Sequence, residues 1–122
     1  MTSTGRWVLL EHRDAPNDPN KIHFDLLLEG VGACLTWRLS SMLYLDGPAQ
    51  HATPIPRHSL LWLDRVSAKV SGNRGWAKQT LKGFYVGNLP HENDKSFTLK
   101  LHSHEFSAVL EIENFQCKLI SL

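Results

Sequence analysis

Cysteine, net charge and long apolar runs are all scarce in this chain of 122 residues, and each scarcity excludes something. The two cysteines, Cys34 and Cys117, lie far apart and form no CxxC pair, so neither a dithiol redox motif nor a thiolate zinc knuckle is on offer. Both are expected as free buried thiols. Thirteen Lys and Arg against twelve Asp and Glu give a net charge of +1. Bulk charge therefore cannot hold a polyanion, and a nucleic-acid partner would need a local basic patch. No apolar run approaches the ~18 to 20 residues of a membrane span. Met1–Trp7 carries no apolar leader core, so no membrane association is expected and the cytoplasm is the expected location. With 42% hydrophobic and 20% charged residues the chain has the balance of a folded protein. Its length closes one hydrophobic core, so a single domain over residues 1–122 is expected.

What is present is a series of short strand-like runs: Arg6–Glu11, Ile22–Glu29, Cys34–Ser40, Ser59–Asp64, Gly83–Gly87, Phe97–Leu101, Phe106–Ile112 and Phe115–Ile120. Turn formers separate them, notably the proline-containing 14–20 segment, Asp46-Gly-Pro48, Ser71-Gly-Asn73 and Glu92-Asn-Asp94. Eight short strands at this spacing predict an all-β fold, a small closed or nearly closed antiparallel β-barrel. The best helical stretch is Arg65–Lys82, but Gly72 and Gly75 would each cost about 1 kcal/mol inside a helix, so a loop followed by a strand is expected there.

The seven histidines are the surplus that points to chemistry. Within residues 21–29, strand alternation puts Ile22, Phe24, Leu26 and Leu28 on one apolar face, which builds the core. His23, Asp25, Leu27 and Glu29 share the other, with His23 and Asp25 about 7 Å apart along the strand. An imidazole and a carboxylate at that spacing can ligate one divalent ion. If the first two runs pair as antiparallel neighbours, His12 returns beside His23 and completes a set of three N and O ligands. Spacing alone leaves His12 open between that role and an unpartnered loop histidine.

A resemblance adds to this. Glu11-His12, His23-Phe-Asp-Leu-Leu-Leu-Glu29, Leu35-Thr-Trp-Arg-Leu39, Thr53-Pro-Ile-Pro-Arg-His58 with Leu61-Trp-Leu-Asp64, and Val70-Ser-Gly-Asn-Arg-Gly75 occur in order. Together they resemble the 3′-phosphoesterase domain of bacterial DNA ligase D, in particular its small stand-alone relatives. The resemblance implies a β-barrel that binds a divalent metal, Mn²⁺ first and Zn²⁺ second, through His12, His23 and Asp25. It implies removal of 3′-phosphates or 3′-ribonucleotides from nucleic-acid ends, with a separate ligase or polymerase as partner. His58 then corresponds to the histidine that binds or protonates the phosphate.

The chain departs from the family pattern at specific places. Leu27 stands where the family has a phosphate-contacting arginine, Arg57 replaces the acidic residue before His58, and Arg65-Val-Ser67 replaces a Tyr-Glu-Gly. Arg38, Arg57 and Arg74 are the guanidinium groups that remain to bind substrate phosphate. The same departures motivate an alternative: a catalytically impaired relative serving as a metal- or nucleic-acid-binding module. Residues 65–82 hold five positive side chains and no acidic one, a local basic segment in which Trp76 is placed to stack a base. His51, His91, His102 and His104 are explained by exposed strand or loop positions.

Overall fold

In the computed structural model, which describes residues 3–16, 22–72 and 74–122, nine strands run in chain order. They are β1 (Ser3–Arg13), β2 (Ile22–Glu29), β3 (Cys34–Leu39), β4 (Gln50–His58), β5 (Ser67–Lys69), β6 (Trp76–Gly87), β7 (Phe97–Ser103), β8 (Ser107–Glu113) and β9 (Gln116–Ser121). All strand pairings are antiparallel and follow the order β1-β2-β3-β4-β9-β8-β7-β6-β5, while β1 also pairs with β6 along its whole length. That second pairing closes eight strands into a ring and leaves β5 as a short flap on the start of β6. The expected all-β barrel is the observed architecture.

The ring is uneven. Between β4 and β9 only Gln50↔Cys117 and His51↔Gln116 pair, so β4 beyond Ala52 has no strand partner on its outer edge. This explains how Pro54 and Pro56 are accommodated: proline lacks a ladder donor and is tolerated where one strand edge is unpaired. Those two prolines break the strand-like pattern over 50–58, so β4 is not among the runs expected from the sequence. Asn93 fills the gap, donating to the carbonyls of Thr36 and Ile55 at 2.8 and 2.9 Å. Its own carbonyl accepts from Trp37 Nε1 at 2.8 Å. At the other end of the seam Asn114 and Phe115, both at positive φ, turn β8 into β9, and the Phe115 carbonyl accepts from the Ala52 amide at 2.8 Å.

Two apolar clusters lie on opposite sides of the sheet formed by β1, β2 and β3. The larger fills the barrel, with Trp7, Leu9, Leu26, Leu28, Trp37 and Leu110 among its members. The smaller lies outside the barrel wall and contains Val8, Leu10, Leu27, Cys34, Leu63 and Ala77. Strand β2 is therefore buried on both faces, and the face that carries His23 and Asp25 holds Leu27 with no exposed surface. Both cysteines are free and buried, as expected.

Two local expectations are corrected. The run Ser59–Asp64 is a short 3₁₀ helix over Leu60–Leu63 and not a strand. Ser59 starts it by accepting the Leu61 amide on its hydroxyl, and its tight turn drives Leu63 onto the outer cluster. The 65–82 segment is two strands, β5 and a β6 that begins at Trp76, seven residues before the expected Gly83. The turn expected at residues 71–73 begins at Ser71 and Gly72 between them, although Asn73 lies outside the described residues, as does most of the expected 14–20 turn.

Candidate metal centre and its cleft

On the outer face of the barrel wall, cross-strand register does what spacing along one strand cannot. His12 sits directly opposite His23 across the β1–β2 ladder, and Asp25 sits opposite Arg38 across β2–β3. His12 and His23 therefore meet edge-on, with ring centroids 4.6 Å apart at 71°. His12 Nδ1 and His23 Nε2 are separated by 3.0 Å, and they stand 3.9 and 3.5 Å from Asp25 Oδ2. The three atoms form a triangle whose centre is about 2.0 Å from each corner, the length of a metal–imidazole or metal–carboxylate bond. This group could hold a metal ion.

The surrounding bonds orient the ligands for that purpose. His12 Nε2 faces the Arg74 carbonyl at 2.6 Å, and a carbonyl only accepts, so Nε2 carries the proton and Nδ1 turns its lone pair toward His23 and Asp25. A backbone carbonyl fixing the tautomer in this way is the usual support of a metal-bound histidine. Burial pushes the Asp25 carboxyl up. The hydrogen bonds from His23 and His58 and the charges of His23 and Arg38 outweigh that and hold it well below the usual carboxylate range. A buried carboxylate kept ionised is a ready cation ligand.

Gly75 makes the His12 support geometrically possible. It sits at φ +88, and a Cβ there would fall 1.9 Å from the Arg13 carbonyl, so the turn after β5 can lie directly on the end of β1. Gly75→Ala is expected to lift that turn, break the Arg74–His12 bond and weaken Zn²⁺ or Mn²⁺ binding about 10-fold or more, as loss of an outer-sphere partner does. Titration calorimetry of the variant with each ion checks this.

The ligand triangle forms part of the wall of an open cleft of about 790 Å³, the size of a small-ligand site. Its other basic and imidazole walls are Arg38, Arg57, His58, Arg74 and His51, and Asp25 is the one carboxylate among the described lining residues. His58 anchors Nδ1 on the Pro56 carbonyl at 3.1 Å and brings Nε2 to 3.7 Å from Asp25 Oδ2. Arg38 approaches Asp25 Oδ1 through Nε at 3.4 Å while about half of its side chain stays exposed. Arg57 is drawn to the 91–92 loop, donating to the His91 carbonyl at 2.7 Å with Glu92 at 3.8 Å. The Arg74 guanidinium donates to the carbonyl and hydroxyl of Ser71 at 2.7 and 3.0 Å.

All seven expected site residues thus border one cleft. The reading from sequence missed the support given by the Arg74 carbonyl and the place of His51 on the cleft wall. A backbone contact leaves no side-chain signature, and β4 was not visible as a strand. The basic segment also divides: Arg65, Lys69 and Arg74 converge, whereas Lys82 borders a separate concavity with Phe84 and His102. Trp76 is exposed at the start of β6, in register with Arg13 and Lys69. Among the described residues no helix is long and apolar enough to cross a membrane. The chain matches no family model and no curated protein.

Proposed function

We propose that this protein is a metal-dependent phosphoesterase acting on the 3′ ends of nucleic acid, removing a 3′-phosphate or a 3′-ribonucleotide, in the manner of the ligase D domain that its sequence resembles. The observation that carries this reading is the convergence of His12, His23 and Asp25 in a cleft whose remaining charged walls, among the described residues, are cationic. A phosphate ester is the substrate such a site favours, because it offers oxygens to the ion and to the guanidinium groups together. His12 Nδ1, His23 Nε2 and Asp25 Oδ2 would hold the ion, with Mn²⁺ the preferred occupant and Zn²⁺ the second, since two imidazoles and a carboxylate suit both. A bound ion would supply Lewis-acid polarisation of phosphoryl oxygen and make the attacking water more acidic.

The chain's own groups account for the remaining steps. Arg38, half exposed on the cleft wall, binds phosphoryl oxygens, with Arg57 and Arg74 as the flanking cations. As hydrolysis forms the bond from phosphorus to the water oxygen, the bond from phosphorus to O3′ breaks. His58 in its protonated form gives its Nε2 proton to the departing O3′. Its Nδ1 bond to Pro56 keeps the ring turned for that transfer.

Burial of Leu27 favours a second reading, a catalytically impaired relative that retains ion and nucleic-acid binding. Where the resembled family has a phosphate-contacting arginine, this chain has a side chain sealed beneath Leu63 and its neighbours. A primer bearing a 3′-phosphate or a 3′-ribonucleotide, incubated in Mn²⁺ with wild type and His23→Ala, separates the two. Turnover by wild type that falls at least 100-fold in His23→Ala is the expected result. Wild type that binds the primer without turnover, even at high enzyme, establishes the second reading.

A further inference from the structure

Beside the metal cleft lies a second concavity of about 420 Å³ lined by Trp62, Arg65, Lys69, Ser71 and Arg74 together with Val70 and Gly72. It contains three cations and, among its described lining residues, no carboxylate. Trp62, Val70 and Arg74 border both concavities, so the two are divided only by that single layer of side chains. Two of the three cations are ordered before any ligand arrives. Arg65 lies over the Trp62 ring, its guanidinium carbon 5.0 Å from the ring centre, and Arg74 is clamped by two bonds to Ser71. Pre-ordered guanidinium groups lose little freedom on binding an anion and suit the bidentate geometry of phosphate.

We infer that this second pocket takes the internucleotide phosphate next to the reacting 3′ end, so that the cleft selects a single-stranded polynucleotide terminus over a mononucleotide. Two phosphate positions a side-chain layer apart, one at the ion and one at a cationic pocket, match a chain of linked phosphates and exceed what one phosphate monoester needs. The stacked Arg65–Trp62 pair favours nucleic acid over an acidic peptide, because a flat cationic surface accepts a base as well as a phosphate. The inference rests on the phosphoesterase reading for the name of the reacting end, but its test does not require turnover.

The test is fluorescence anisotropy of a short labelled single-stranded oligonucleotide with a 3′-phosphate, in Mn²⁺, across a salt series. Wild type is compared with Arg65→Ala/Lys69→Ala and with Lys69→Glu, both at exposed positions. Mn²⁺ affinity, measured separately, reports that the variants are folded. The double variant is expected to bind the oligonucleotide about tenfold more weakly. The slope of log K against log salt should become shallower by about 0.7, the value of one phosphate contact on a single strand. Lys69→Glu should weaken binding further. Unchanged affinity and slope in both variants would overturn the inference, as would no oligonucleotide binding by wild type, or displacement by polyglutamate as effective as by unlabelled oligonucleotide. Binding that depends on Arg65 and Lys69 without any hydrolysis keeps this inference and defeats the phosphoesterase reading. Hydrolysis with variant-insensitive binding does the reverse.

Discussion

Asp25→Asn is expected to abolish functional metal binding, lowering Zn²⁺ or Mn²⁺ affinity by more than the 10- to 100-fold that loss of a supporting residue costs. The carboxylate is the only anion in the ligand triangle, and it faces two imidazoles, a third from His58 and the Arg38 guanidinium. An amide keeps the shape of the side chain and removes the charge that balances these groups. The metal-free protein gives an independent readout. Because the folded state holds the Asp25 carboxyl below its ordinary range, that carboxylate stabilises the fold above the ordinary carboxylate pKa. The stabilisation drains away as pH falls through that value toward the lower folded one. Wild type without metal should therefore lose stability on acidification more steeply than Asp25→Asn, measured by thermal melts between neutral and acid pH. Equal metal affinity in the two proteins, by titration calorimetry, would remove Asp25 from the site.

Leu27→Arg carries the second large effect, and its direction is set by burial. Under the proposed phosphoesterase reading this change would restore a phosphate contact. In the fold it places a guanidinium in the outer cluster among Val8, Leu10, Cys34, Leu63 and Ala77, where the native side chain has no exposed surface. An unpaired charge forced into such a site costs on the order of 3–5 kcal/mol, beside the lost packing of the leucine. The expected result is a melting temperature lower by roughly 10 °C or more and no gain of activity. A stable Leu27→Arg protein with higher turnover would mean that the 3₁₀ helix bearing Leu63 swings away to expose this face. Leu27→Met, which conserves volume, should melt within a few degrees of wild type.

The same residue marks where reading along a single strand stops. Alternation correctly separated Ile22, Phe24, Leu26 and Leu28 from His23, Asp25, Leu27 and Glu29, because side-chain period along a strand is purely local. Nothing local says that the second set is covered halfway along. That cover comes from Leu63, thirty-six positions further on, and from Ala77 on β6. Both positions are buried, but Leu27 is covered by apolar side chains and Asp25 by imidazoles and a guanidinium, which divides one strand face into an apolar support and a polar site.

The sequence by itself determined the all-β class, the turn that starts at Ser71, the two buried free thiols and the pair of His23 and Asp25 on one face. Each follows from local period, local turn chemistry or the simple absence of a partner motif. Closure of β1 onto β6, the register that sets His12 against His23, the carbonyl of Arg74 that fixes the His12 tautomer, and the meeting of Arg65 with Arg74 beside the cleft were decided only by the tertiary structure. The physical reason is reach. A strand fixes where its own side chains point, but a metal site, a buried charge or a phosphate pocket needs groups from several strands at ångström precision. That precision comes from the hydrogen-bonded register between segments and from the packing that holds it.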